Sequence, residues 1–198
     1  MHGSTFPGFG APVCRFERDQ TSREPHWYAC YTRGRHEKRV EALLRERGVE
    51  GYLPVIRALR KWKDRMKLVD WPLFPSYVFG RFAPDDLSRV LATRGVVEVV
   101  RVGGRPLTIP EEEIENVRRF ASALSSAGVE PEPEPFLEKG QEVRVCEGPF
   151  TGVVGVVVET SRGRRVLVGV RGIGMGFAVD VNARHLQPVS DHARSSAA

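Results

Sequence analysis

Cysteine is scarce in this chain of 198 residues: only Cys14, Cys30 and Cys146 occur. They are odd in number, widely spaced and never in a Cys-x-x-Cys pair, which argues against a disulfide framework and against the common zinc and redox motifs. A reduced, cytoplasmic protein is the simplest expectation. Long hydrophobic runs are missing too, and none approaches the roughly 20 residues of a membrane helix. The first residues lack the basic start and apolar core of a signal peptide. The histidines His2, His26, His36, His185 and His192 form no pair at metal-ligand spacing. Gly103-Gly104 and the glycines near Gly172 lack the strand-loop-helix setting of a phosphate loop, and no nucleophile has a base beside it. No catalytic residue, metal ligand or cofactor is therefore expected, and a nuclease working through a basic groove ranks a distant third.

What the chain does have is positive charge, formally +5 with a pI near 9.4. Net charge speaks to attraction for polyanions and not to fold, but its distribution says more. Twelve Lys or Arg face five Asp or Glu between Arg33 and Lys67, so the basic surface belongs to the amino-terminal half.

Two breaks divide the chain. Residues 1–25 mix Gly, Pro, Ser and charge without periodicity and read as a disordered extension. The alternating Glu-Pro run within 127–135 reads as an extended, semi-rigid spacer. It separates a domain at 26–126 from a second at 136–189, with a loose tail at 190–198. In the first domain, His26 to Thr32 is dense enough in apolar residues for a buried strand. Val40, Leu43 and Leu44 recur at helical spacing between His36 and Arg47, and Gly48 can close that helix. Tyr52 to Leu59 reads as a strand, Arg60 to Lys67 as a charged loop or solvated hairpin tip, and Leu73 to Phe82 as a central strand. Asp85 is placed to cap a short helix carrying Leu87, Val90 and Leu91. Val96 to Val102 returns as a strand. Pro110 opens a helix whose Glu111, Glu112 and Glu113 suit its positive end, with Ile114, Val117, Ala121 and Leu124 on one face. An α+β domain results, an antiparallel sheet flanked by helices.

The second domain changes rhythm. Glu142 to Val145, Val153 to Thr160, Arg164 to Arg171 and Gly176 to Val181 are short β-rich runs between Gly-containing turns, the signature of a small all-β, SH3-like barrel.

The residues also resemble a known family. Trp27-Tyr28 opening a strand, then Leu73-Phe74-Pro75-Ser76-Tyr77-Val78-Phe79, then Thr93-Arg94-Gly95-Val96, are similar to the amino-terminal domain of the NusG family. Lys139 to Val145, Glu147-Gly148-Pro149-Phe150-Thr151-Gly152 and Gly155-Val156-Val157 resemble its KOW motif. The resemblance runs from about His26 to Val189. The basic segment ending in Trp71-Pro72-Leu73-Phe74-Pro75 looks most like specialised antiterminator paralogues of the UpxY, LoaP and RfaH kind.

That resemblance implies a monomeric, cytoplasmic transcription elongation factor. It would bind the clamp helices of the largest RNA polymerase subunit, bridge the DNA channel to the opposing jaw and promote elongation or antitermination on particular operons. Its clamp-binding candidates are Trp27, Tyr28, Phe74, Pro75, Tyr77 and Phe79, and Ser88 and Arg89 would touch the jaw. Arg33, Arg35, His36, Lys38, Arg39 and Arg94 are candidates for the non-template DNA strand, since arginines hold phosphates and stack on bases. Ile173 and Met175 lie in the barrel loop that relatives present to a small-subunit ribosomal protein or to Rho. Ile173 stands where an aromatic is usual, which disfavours that contact. Two alternatives stay open: a housekeeping NusG acting with Rho, and a ribosome-associated, RNA-binding KOW protein. β-Branched residues at Val153 to Val158 and Val166 to Val170 favour strands over any helical form of the second domain.

Overall fold

The computed structural model describes residues 24–62, 65–135, 140–160 and 163–189; the extension up to residue 23 and the tail from 190 lie outside the described residues. The chain opens with β1 (His26–Thr32), α1 (Glu37–Glu46), β2 (Glu50–Tyr52), β3 (Val55–Trp62), β4 (Arg65–Pro72) and β5 (Tyr77–Phe82). It continues through α2 (Leu87–Leu91), β6 (Val96–Val99), β7 (Arg101–Val102), β8 (Arg105–Pro106), β9 (Thr108–Ile109) and α3 (Glu111–Ala127). The second half holds β10 (Glu132–Pro135), β11 (Glu142–Val145), β12 (Val154–Thr160), β13 (Gly163–Val170), β14 (Met175–Val179) and β15 (Leu186–Pro188).

The amino-terminal sheet runs β2-β5-β1-β6 with β9 also on β1, all antiparallel. Because side chains alternate along a strand, its register divides the aromatics between two faces. Tyr28, Cys30, Val78 and Phe82 pack with Val40 and Leu44 of α1 and Val90 of α2. Trp27, Ala29 and Phe79 lie on the other face, in a cluster with Ile114, Val117, Phe120 and Leu124 of α3.

Four local expectations are corrected. The strand expected from Tyr52 to Leu59 is two strands, broken at Leu53-Pro54, where the Pro54 carbonyl accepts from Leu73 N–H at 2.8 Å. The expected Arg60 to Lys67 loop is instead paired backbone, with Arg60 opposite Lys67 and Trp62 opposite Arg65 in the β3–β4 hairpin. The central strand begins at Tyr77, not Leu73, because Phe74 to Tyr77 form a turn closed by Tyr77 N–H on the Phe74 carbonyl at 3.1 Å. Ser76 sits there at φ 66°, a left-handed conformation that is costly for serine. The buried carboxylate of Glu37 holds it by accepting from Ser76 N–H at 2.9 Å. Finally, Asp85 caps nothing: Pro84–Asp86 form a 3-10 turn ahead of α2, and no side chain caps either piece.

The Glu-Pro run is more than a spacer. As β10 it pairs with β14 at one edge of a six-stranded sheet ordered β10-β14-β13-β12-β11-β15. An edge tolerates Pro133 and Pro135, which have no N–H to offer an outer neighbour. Arg165, 5% exposed, fastens this edge by donating to Glu132 at 2.6 Å and to Asp180 at 2.9 Å. At Gly155 an added Cβ would meet the Leu167 carbonyl at 2.7 Å, so the β12–β13 approach needs glycine.

Cys30 is fully buried, and burial pushes its thiol up to about 12 from an ordinary 9.0. Folding therefore favours the protonated thiol. In the unfolded chain the thiol ionises from about pH 9, while the folded one holds its proton to about 12, so this group lowers stability as pH rises across that window. In the native protein Cys30 is expected to resist iodoacetamide at pH 8 and to react only in denaturant, a difference that mass spectrometry of labelled peptides will read.

Candidate functional site

The strand period separates the six aromatic and proline candidates. Tyr28 belongs to the α1 face, its ring 4.5 Å from that of Phe82, and cannot reach a partner on the α3 face. Trp27 lies on the α3 face but is 2% exposed, and its indole N–H donates to Glu111 at 2.8 Å. Phe74 and Phe79 are 1% and 0% exposed and meet edge to face at 5.8 Å. Only Pro75 and Tyr77 reach solvent. The structure adds a residue the candidates omit: Tyr31, 39% exposed, sits directly across from Tyr77 with ring centroids 5.4 Å apart. Its place two residues beyond Ala29 on the same face was the available signal.

Phe74 and Phe79 are buried partly because the barrel covers this face. Phe177 of β14 packs edge to face on Phe74 at 5.3 Å, and Phe150 packs on Phe120 at 5.9 Å. One apolar cluster thus runs from Trp27 through α3 into Val143, Val153 and Val168. Polar contacts set the docking. The Asn116 amide donates to the Val154 carbonyl and accepts from Val154 N–H, both at 2.7 Å. Glu113 accepts from Arg171 N–H at 2.7 Å. Neither contact was legible in the sequence, because Asn116 and Glu113 look like ordinary positions on an amphipathic helix.

The barrel loop is turned onto this seam. Arg171–Ile173 form a 3-10 turn ending at Gly174, with φ 65°, and a Cβ at Gly172 would lie 2.5 Å from Leu107. Gly172 therefore permits the close approach of this turn to Leu107. Ile173 and Met175 are half-buried and, with Phe177, face Trp71, Leu73 and Pro75 across a groove of about 620 Å³.

The basic candidates do come together. Arg33 N–H donates to the Gly95 carbonyl at 2.9 Å, tying the β1–α1 junction to the Thr-Arg-Gly turn. At Gly95, φ 104°, an added Cβ would lie 2.8 Å from a Val40 methyl and 3.4 Å from the His36 ring, so the close packing of this turn on α1 needs glycine. Arg35 has φ 65° at the tip of the junction. Arg33, Arg35, Lys38, Arg39 and Arg94 are exposed, and none forms an ion pair with a described residue. Elsewhere Arg45, Arg81, Arg89 and Arg101 all have carboxylate partners. His36 is the half-buried N-cap residue of α1. Ser88 and Arg89 are exposed on α2, which packs on the opposite face of the sheet from Tyr31 and Tyr77, with Arg89 paired to Asp86 at 3.0 Å.

Among the described residues, no helix is long and apolar enough to cross a membrane.

The family model described as transcription termination factor nusG matches residues 25–118, and the KOW motif model matches residues 139–168. The chain is 25% identical over 187 residues to the transcription termination/antitermination protein NusG of Borreliella burgdorferi, covering 82% of this chain and 98% of that protein. It is 32% identical over 114 residues to the protein of the same name in Yersinia pestis, covering 55% and 61%. A solved structure titled "Domain interaction in Thermotoga maritima NusG" is 21% identical, with a TM-score of 0.45, covering 87% of this chain and 100% of that one. With the NusG module and the KOW motif in that order along one polypeptide, the chain belongs to the NusG family, whose matched relatives are transcription termination/antitermination proteins.

Proposed function

We propose that this chain is a cytoplasmic elongation factor that binds RNA polymerase through the α3 face of its amino-terminal sheet and favours processive elongation or antitermination on particular operons. The observation that carries this reading is an apolar, aromatic sheet face packed on α3 and, around Phe74, covered by the chain's own second module through Phe177. Tyr31, Tyr77, Phe79 and Phe74 would meet the clamp helices, the paired tyrosines serving as anchors of large area and low rotamer cost. Ser88 and Arg89, on the other side of the sheet, suit contact with the opposing jaw, so one rigid sheet spans the channel. Holding the clamp closed in this way needs no bond chemistry.

Since Phe177 and Ile173 occupy part of this face, polymerase binding requires the barrel to swing away. Swinging away would also free the Arg171–Ile173 turn for a ribosomal protein or Rho. The cations at the β1–α1 junction, which form no ion pair with a described residue, suit the phosphates of a displaced DNA strand.

Run-off transcription by purified bacterial polymerase across an intrinsic and a Rho-dependent terminator tests this function. Increased read-through is expected. An Arg33→Ala/Arg35→Ala/Arg94→Ala variant should keep binding to the polymerase while binding to a single-stranded oligonucleotide loses about 2 from its salt slope, at roughly 0.7 per phosphate contact. Increased Rho-dependent termination would indicate a housekeeping factor. Absence of polymerase binding with ribosome co-sedimentation would indicate an RNA-binding KOW protein.

A further inference from the structure

Trp71 leaves 47% of its surface exposed on the wall of the groove between the two modules. An indole has a large apolar area to bury, so an exposed one lining a groove suits a site that something covers. Trp71 and Pro75 belong to the amino-terminal wall, and Ile173, Met175 and Phe177 of the barrel form the other. The volume, about 620 Å³, suits a short segment and not a folded domain. The charged residues that line it, Glu130 and Glu134, are both acidic. Proline-bearing segments dock on aromatic-lined grooves at low entropic cost. The matching occupant is therefore extended, apolar, rich in proline and positively charged.

This chain carries such a segment outside the described residues. Residues 6–16 read Phe-Pro-Gly-Phe-Gly-Ala-Pro-Val-Cys-Arg-Phe, and their single charged side chain is Arg15. The tail from Ser190 offers no Phe, Trp, Tyr, Leu, Ile or Val to fill the same groove. Reach is sufficient. Trp27, near the start of β1, bonds to Glu111 at the start of α3, whereas Arg57, next to Ile56 of the groove wall, bonds to Ser125 near the end of α3. The extension thus joins the fold about 25 Å from the groove, the length of a 17-residue helix. The ten residues from Phe16 to His26 span about 33 Å when extended.

We propose that residues 6–16 lie in this groove and strap the barrel to the amino-terminal module, with phenylalanine rings against Trp71 and Met175 and Arg15 at the Glu130–Glu134 rim. Because the strap touches both walls, it binds only the docked arrangement and favours it. It needs no polymerase, and it stands or falls independently of the function proposed above.

A nitroxide attached to Cys14 tests this in the full chain by nuclear magnetic resonance. Cys30 is fully buried, and Cys146→Ser removes the other competing thiol. The Trp71 indole and Met175 methyl resonances are expected to lose most of their intensity with the nitroxide oxidised and to regain it on reduction. Phe6→Ser/Phe9→Ser/Phe16→Ser should abolish that loss, and these positions lie outside both modules, so misfolding does not imitate the result. Arg15→Glu should lower the bound-to-free ratio about threefold, the size of a partly exposed ion pair, and adding Glu134→Arg should restore it. The proposal is overturned if Trp71 keeps its intensity or if the triple variant broadens it as much as the parent. It is also overturned if spin-labelled chains broaden Trp71 of isotope-labelled chains that carry no nitroxide, which would place a second copy's extension in the groove.

Discussion

Replacing Asn116 by alanine is expected to raise the affinity of this protein for the clamp helices of RNA polymerase by roughly thirtyfold, although Asn116 is not itself among the proposed clamp-binding residues. Asn116 makes two hydrogen bonds to the backbone of Val154, both 2.7 Å, and they exist only while the barrel lies on α3. At about 1 kcal/mol each, their loss disfavours the docked arrangement by roughly 2 kcal/mol, and Val154 regains water as soon as the modules part. Alanine is the better helix former, so α3 is not weakened. If the docked form dominates, the gain in the open population appears directly as apparent affinity. Isothermal titration with a clamp-helix fragment, alongside small-angle scattering to follow the separation of the modules, reads both quantities. Unchanged scattering and unchanged affinity would mean that the seam does not control access to this face.

The double variant Tyr31→Ala/Tyr77→Ala is expected to lose polymerase binding by about two orders of magnitude, a size typical of paired aromatic anchors. Its fold should remain. Tyr31 is 39% exposed and Tyr77 is half-buried, so truncation opens little internal space. Phe79→Ala is the contrasting case. With no exposure and neighbours Tyr52 and Phe74, truncation of Phe79 should cost about 3–5 kcal/mol in stability, so loss of binding there comes with a lowered melting temperature. Thermal melts and polymerase pull-downs on the three proteins separate the two behaviours. If the tyrosine pair binds normally while remaining folded, the contact face lies elsewhere.

Much of this architecture was legible before any coordinates. The span of β1, the helical spacing that became α1, the proline-led start of α3 and the strand rhythm of the second module follow from local patterns. Those patterns record which side of each segment must be buried. The misreadings have a common origin. Phe74-Pro75-Ser76 looked like strand because the stretch is aromatic, yet Ser76 is held in a left-handed turn by Glu37, 39 residues earlier in the chain. Arg60 to Lys67 looked like loop because it is charged, and only its cross-strand register showed a ribbon. Tyr28 and Trp27 are adjacent in sequence, and the strand puts them on opposite faces.

The amino-acid sequence by itself determined the two modules, their fold classes, the basic junction and the family, because periodicity, turn residues and short motifs are local properties. Only the tertiary structure decided which aromatics are core and which are surface, that Tyr31 joins Tyr77, and that the barrel lies on the face proposed for the polymerase. Those outcomes depend on contacts between residues far apart in the chain, such as Phe74 with Phe177 and Asn116 with Val154. Their energies come from burial and hydrogen bonding across a seam, and no local pattern records such pairings.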